Sequence, residues 1–332
     1  MSNQNKQIIN LSRGYSLVEL MIAMTIGLLV IAATLSIFFS NKETYRASDN
    51  ISRVQESART AFEFMSRDIR ESTGTLCDFG IVPLSVLNNS GGFMWRNWTN
   101  PMMGYDNGAL AGSLAGTDAF EIKTAGTSQF DVTTHNAGTN AFNLNTAVPH
   151  DIVTGDIVIA CDFNRAAIFQ VSGVAGSVIS HASGGAAPGN STASLGTTPT
   201  GPYTFIAHAT LSRVNATQWF VAANGRGGNS LFRYTLRTTA GVPSMCRNGA
   251  CTGNLLQDAE EVAEGIRDLQ ITYLLKSGTT FVNALPLNDP QWSNVIAVRI
   301  VMTIEGNDRV STTGQRLTRT ISQTINLRNR NQ

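Results

Sequence analysis

The residues that could do chemistry are few, and one sits where a charge is expensive. Within the run Tyr15 to Phe39, YSLVELMIAMTIGLLVIAATLSIFF, the only charged residue is Glu19. A carboxylate inside an apolar span costs on the order of several kcal/mol unless it finds a partner. It can lie at a membrane edge with its carboxylate reaching water, or pair with a positive group. The remaining candidates are scattered. His135, His150, His181 and His208 form neither H-E-x-x-H nor a close metal pair in sequence. Asp156 and Asp162 read as a strand-end and a turn residue rather than an acid/base couple. The segment Asn224-Gly225-Arg226-Gly227-Gly228-Asn229 is glycine-rich but lacks the P-loop lysine and the dinucleotide spacing, so it reads as a tight turn. No G-x-S-x-G elbow occurs. The expectation is a chain with no active site, no cofactor and no metal.

The four cysteines Cys77, Cys161, Cys246 and Cys251 allow three pairings. Outside the cytoplasm an even count suggests disulfides, and Cys246 with Cys251 across a short loop, and Cys77 with Cys161, are favoured. The longer loop would contribute about 4–5 kcal/mol in the chain-entropy picture. The alternative is buried free thiols. Zinc fits poorly, because there is no C-x-x-C pair with a nearby histidine. The net charge is +1 over 332 residues, which gives no global field toward nucleic acid. Charged residues make up 14% of the chain, against about 25% in average soluble proteins. Ser, Thr, Asn and Gly fill the difference, which suits an exported surface or one covered by neighbouring subunits.

The elements that must position Glu19 start with the apolar run itself. As a helix it would be about 37 Å long, enough to cross a hydrocarbon core of roughly 30 Å. An ordinary signal peptide has an apolar region of about 7–15 residues followed by a small-residue cleavage site. This run is longer, and Asn41-Lys42-Glu43 leads on into further helix-forming sequence. The segment should therefore remain attached. Lys6 and Arg13 precede it without an acid, which favours a cytoplasmic Met1 and the bulk of the chain outside.

The stretch Arg13-Gly14-Tyr15-Ser16-Leu17-Val18-Glu19-Leu20-Met21 resembles the signal of type IV prepilins: a basic leader, Gly, an aromatic residue, then Glu five residues into the mature chain. The resemblance implies a leader of residues 1–14, read at Gly14 by the prepilin peptidase and removed before Tyr15. It also implies N-methylation of Tyr15 and an assembly role for Glu19. Cleavage would create an amine at Tyr15, and Glu19 lies one helical turn on. In a bundle of such helices Glu19 could pair with the amine of a neighbour and satisfy both charges. Tyr replaces the more usual Phe, and the proline many major pilins carry in this helix is missing between Tyr15 and Gly74. Glu43-Thr44-Tyr45-Arg46, Arg53-Val54-Gln55-Glu56 and Phe62 to Arg70 resemble minor pilins of the PilW type, as does Val262 to Tyr273.

Ile51, Val54, Ala58, Ala61, Met65 and Ile69 recur every three to four residues between charged positions, an amphipathic helix with one buried stripe. The expected organisation is leader 1–14, membrane or assembly helix 15–39, amphipathic continuation 40–73 with Gly74 as its stop, and an extracytoplasmic β-rich domain 74–332. Short β-type runs are expected at Ala119 to Lys123, Gln129 to Thr133, Asp156 to Cys161, Ala167 to Val171, Tyr203 to Leu211, Gln218 to Ala222 and Leu231 to Leu236. Two clear alternating strands close the chain, at 296–304 and 317–327, the last near an edge because Arg319 and Gln323 interrupt its apolar face. One polar face argues for an antiparallel sheet covered by the helix, an α+β fold. Residues 173–201, rich in Gly, Ala, Ser and Thr, read as a mobile loop or weakly ordered insertion. Trp95 and Trp98 suggest either an aromatic patch for a partner pilin or residues buried under a loop.

These readings imply a structural minor pilin in a type IV pilus or its tip or initiation complex. Its partners would be the prepilin peptidase, other minor and major pilins, the inner-membrane assembly machinery and the membrane, with no nucleic acid. Its location would be the inner membrane, with the bulk of the chain periplasmic, then the fibre. The alternatives are a minor pseudopilin of a type II secretion system and a signal-anchored periplasmic enzyme or adhesin.

Overall fold

The computed structural model describes residues 16–72, 81, 83–88, 100, 102–145, 149–185, 188–196, 201–239, 242–244, 259–287, 289–309 and 315–327. It begins with one uninterrupted helix, α1 (Leu17–Glu71), about 80 Å long at 1.5 Å per residue. No proline breaks its hydrogen-bond ladder. From Leu17 to Phe39 the large apolar side chains stand open, Leu17 at 74% and Leu29 at 70% exposure. In the second half Val54, Ala58, Ala61, Met65 and Ile69 are buried as the periodicity predicts. Phe62 joins them, and the stripe turns slightly at its start: Asn50 is buried and Ile51 is exposed.

Among the described residues sixteen strands follow: β1 (Leu84–Ser85), β2 (Met102–Tyr105), β3 (Ala119–Asn136), β4 (Ala141–Leu144), β5 (Ile157–Cys161), β6 (Ala166–Gln170), β7 (Gly173–Ala175) and β8 (Val178–Ser180) in the first part. The second part holds β9 (Ala209–Ala223), β10 (Asn229–Thr235), β11 (Arg237–Thr239), β12 (Val242–Ser244), β13 (Glu260–Glu264), β14 (Ile266–Leu275), β15 (Val295–Arg309) and β16 (Arg316–Asn326). A large sheet runs β1-β6-β5-β9-β3-β4-β8-β7, with β10 and β13 extending from β9 and β2 from β3; β14-β15-β16 form a second sheet and β11-β12 a small ribbon. Pairing is antiparallel except for β1 beside β6. The α+β class is as expected, with β16 at the edge of its sheet.

Three expectations change. The runs at 119–123 and 129–133 are one strand, because a register shift between Ala125 and Gln129 absorbs the intervening residues without a turn. The strand expected from Tyr203 starts only at Ala209; residues 201–206 belong to no strand. Residues 173–201 are not simply a loop: β7 and β8 form a hairpin paired to β4, and Asn190 is buried, accepting the Gln170 amide through Oδ1 at 2.7 Å and donating from Nδ2 to the Gln170 carbonyl at 2.8 Å. Small residues are required at two close approaches in its described part, since an added Cβ would lie 2.8 Å from the Gly184 carbonyl oxygen at Gly189 and 2.1 Å from the Gly201 carbonyl oxygen at Gly196.

The core explains how helix and sheets hold one another. The α1 stripe packs with Met102, Phe120, Trp219 and Leu231 of the large sheet and with Leu269, Ile300, Met302 and Ile325 of the small one. The chain passes from β13 to β14 through Gly265 alone, at φ +81, where an added Cβ would lie 2.5 Å from the Glu305 carbonyl oxygen. Glycine is required there on both counts. Gly104 meets a different limit. A Cβ on it would stand 2.2 Å from the Tyr273 hydroxyl oxygen, and Tyr273 is buried edge-on against Trp292 with ring centroids 4.9 Å apart. Gly104→Ala should therefore destabilise the fold by about 1–3 kcal/mol or more, read as a lowered thermal midpoint of the full chain in detergent; an unchanged midpoint would mean that the Tyr273 ring yields freely.

Candidate functional site

The exposed half of α1 is a surface with a chemical address at its N-terminus. Ser16 is the N-cap, with extended backbone, and its Oγ accepts from the Val18 amide at 3.3 Å. Glu19 reaches back three residues and accepts the Ser16 amide through Oε2 at 3.1 Å, completing a capping box. The acid thus satisfies an otherwise unpaired helix-end donor and lies where the helix dipole favours negative charge. Beyond it about 20 apolar residues stand with no cover from the other described residues. Such a face requires lipid or other apolar helices.

Residues 9–35, which span this helix start, match the prokaryotic N-terminal methylation motif. Residues 220–329, from the end of β9 through β16, match type IV pilus-assembly protein W. These two matches support a type IV pilus minor pilin of the PilW type. No curated protein and no solved structure matches it. The matched C-terminal stretch contains the small sheet that the later half of α1 covers, whereas the methylation-motif match falls on the uncovered half of the same helix. The matches and the apolar helix together imply membrane association and interaction with pilus machinery and other pilins.

Gly14, Tyr15, Cys77, Cys246, Cys251, Trp95 and Trp98 lie outside the described residues, as does the helix stop expected at Gly74. Cys161, buried at the end of β5, is disulfide-bonded. Asp156 accepts from the Val153 amide and from Arg213 Nε at 2.7 Å. Asp162 closes the β5–β6 turn, accepting the Asn164 and Arg165 amides through Oδ1. They serve the two structural roles expected of them. The 224–229 segment is the tight β9–β10 turn, with Asn224 Oδ1 accepting the Arg226 and Gly228 amides.

Two polar clusters escaped the sequence. Lys123 and Glu121 form an ion pair at 3.3 Å with both side chains fully buried. The Lys123 ammonium also donates to the Asn100 carbonyl at 3.1 Å, and Glu121 Oε2 accepts from Gln218 Nε2 at 2.8 Å. Burial pushes the Lys123 amine down and the Glu121 charge pulls it back up. Both residues sit on the face of β3 opposite Phe120 and Ile122, and alternation alone reads that face as solvent-exposed.

The second cluster corrects the reading of scattered histidines. His135 and His181 are brought together, Nε2 to Nε2 at 3.0 Å. The amide of Phe205 donates to His135 Nδ1 at 3.0 Å, so His135 must carry its proton on Nε2. That proton faces the partner nitrogen and blocks metal ligation. Among the described residues no group of three or more His, Cys, Asp or Glu side chains could hold a metal. Pairwise histidine proximity here comes from β3 and the segment after β8, 46 residues apart, and no spacing rule could find it.

Proposed function

We propose that this pilin is a minor subunit in assembly of a type IV pilus or its tip or initiation complex, installed after cleavage between Gly14 and Tyr15. The observation that carries this reading is the uncovered apolar half of α1 with Glu19 as its single charge, rigidly continuous with the half buried in the pilin core. Prepilin peptidase reads Gly14 on the cytoplasmic side and the new Tyr15 amine is N-methylated. The bulk of the chain lies in the periplasm, with Cys77 paired to Cys161 and Cys246 to Cys251. On extraction from the membrane, neighbouring pilin helices replace lipid around Leu17 to Phe39, and Glu19 pairs with the terminal amine of a neighbour. Support for this arrangement comes from the capping geometry. Glu19 sits within one turn of the cut, and its bond to the Ser16 amide survives cleavage because Ser16 belongs to the mature chain.

Gly14→Ala tests the first step. The variant should accumulate in the inner membrane as an uncut precursor beginning at Met1, with no N-methyl-Tyr15 detectable by N-terminal mass spectrometry and none of it in sheared fibres. A mature-sized band with a normal N-terminus would overturn the proposed processing.

A further inference from the structure

A distal lobe lies at the far end of β9 from its contact with α1. Along β9, Trp219 touches the helix through Asp68, while Ala209 lies about 33 Å away at 3.3 Å per residue. There a third core collects Phe130, Phe142, Phe169, Phe205 and Leu195. Within it the His135 ring stacks on Phe142 at 4.0 Å between centroids, and Phe205 and Phe169 pack against the two imidazoles.

The hydrogen-bond chain through this pair has one direction. Phe205 N–H donates to His135 Nδ1, His135 Nε2–H donates to His181 Nε2, and His181 Nδ1–H donates to the Ala193 carbonyl at 3.1 Å. The two ends are backbone groups whose roles cannot reverse, so both rings must be neutral. A proton added to His135 Nδ1 would face the Phe205 N–H; one added to His181 Nε2 would face the His135 N–H. Among the described residues neither has a carboxylate bonded to it to receive that proton. Asp131 on β3 is taken by His208, and Asp162 by the Tyr203 hydroxyl and the Asn164 and Arg165 amides, with Arg165 itself over the Tyr203 ring.

We propose that His135 and His181 form an acid-sensitive latch that pins the segments around Ala193 and Phe205 onto the distal lobe and releases them when either imidazole is protonated. The released part carries Ile206, 43% exposed, beside the β5–β6 turn whose Phe163 is 69% exposed, with the Asp162 carboxylate joining the two. Opening would therefore reshape an apolar corner of the distal lobe. The neighbouring anchor at Gly189 and Asn190 uses only amide groups of Gln170 and Asn190 and should not respond to acid.

The sign follows from burial. It lowers both imidazoles to about 4 in the closed state, against about 6.5 when opened to water. The closed state is fully favoured above about pH 6.5 and loses ground as pH falls toward 4, because the opened state binds more protons. At pH 5 opening should rise about thirty-fold for each imidazole.

Hydrogen exchange of the full chain in detergent micelles, corrected for the pH dependence of chemical exchange, reads this directly. Peptides covering 201–208 should lose protection between pH 7 and pH 4.5, while those in β14, β15 and β16 keep it. His135→Gln with His181→Gln, which cannot titrate, should flatten the response. Unchanged protection of 201–208 in the unsubstituted protein, or the same acid response in the double variant, would overturn the latch. Should that variant not fold, deuteration at the histidine C2 position of the unsubstituted protein gives each titration midpoint. Midpoints near 6.5 for both residues would refute the proposal, and midpoints well below it would sustain it.

Discussion

Glu19→Val should yield a pilin that is cut and N-methylated normally yet is almost missing from sheared fibres. Processing is spared because Gly14 and Tyr15 are untouched. Assembly fails because the terminal amine of the neighbouring subunit, carried into a dry helix bundle, would find no carboxylate at position 19. Leaving one member of a buried pair uncompensated costs about 3–5 kcal/mol, a factor of more than about a hundred in incorporation. The capping box makes this experiment more informative than a single substitution. Valine removes both the charge and the bond that Glu19 accepts from the Ser16 amide. Glutamine keeps an acceptor for that amide and so preserves the cap, while abolishing the charge. If the charge carries assembly, Glu19→Gln should fail nearly as badly as Glu19→Val. If Glu19→Gln assembles normally and only Glu19→Val is defective, the residue acts as a helix cap and the proposed ion pair is wrong. Immunoblots of sheared fibres, normalised to the inner-membrane pool, separate these outcomes.

Trp219→Ala should be the most damaging single change in the globular part. The indole is fully buried where three elements meet. It stacks on Phe120 at 6.4 Å between centroids, lies beneath the Arg233 guanidinium, and donates from Nε1 to Asp68 Oδ2 of α1 at 2.9 Å. Truncation forfeits about 3–5 kcal/mol in burial and cavity terms. It also strips a donor from a carboxylate that burial already pushes up and that the indole and Arg233 pull back down. The thermal midpoint of the full chain in micelles should fall by about 10 °C or more. Trp219→Phe, which keeps most of the ring and loses the Asp68 bond, should cost about 1–2 kcal/mol. A midpoint within about 2 °C of the unsubstituted protein for Trp219→Ala would mean that the helix is held to the sheets mainly by its aliphatic stripe.

These two experiments mark opposite ends of one lever. Glu19 and the open apolar face act between molecules, whereas Trp219 and Asp68 fix the same helix to its own domain. A 55-residue helix without an internal break transmits the position of one end to the other, so loosening at Trp219 would also misplace the globular part on an assembled fibre.

What the sequence determined by itself is local and periodic. The leader motif, the apolar run with one acid and the stripe from Val54 to Ile69 needed only neighbours within a few turns, and α1 follows them closely. The alternation in β15 was equally legible, apart from its start. There the register shifts at Leu275, and Ala297 is buried while Ile296 is only partly so. Turn chemistry at 224–229 and the roles of Asp156 and Asp162 were readable for the same reason, since each side chain bonds to backbone a few residues away. Tertiary structure alone decided the rest. Only long-range pairing made one strand of the two runs in β3, buried the Lys123–Glu121 pair on a face that alternation assigns to water, and folded the small-residue stretch after β6 into a hairpin. It alone set two histidines 46 residues apart in contact. Periodicity encodes which face of an element is apolar. It carries no information about what covers the other face, and that is where the polar clusters of this pilin lie.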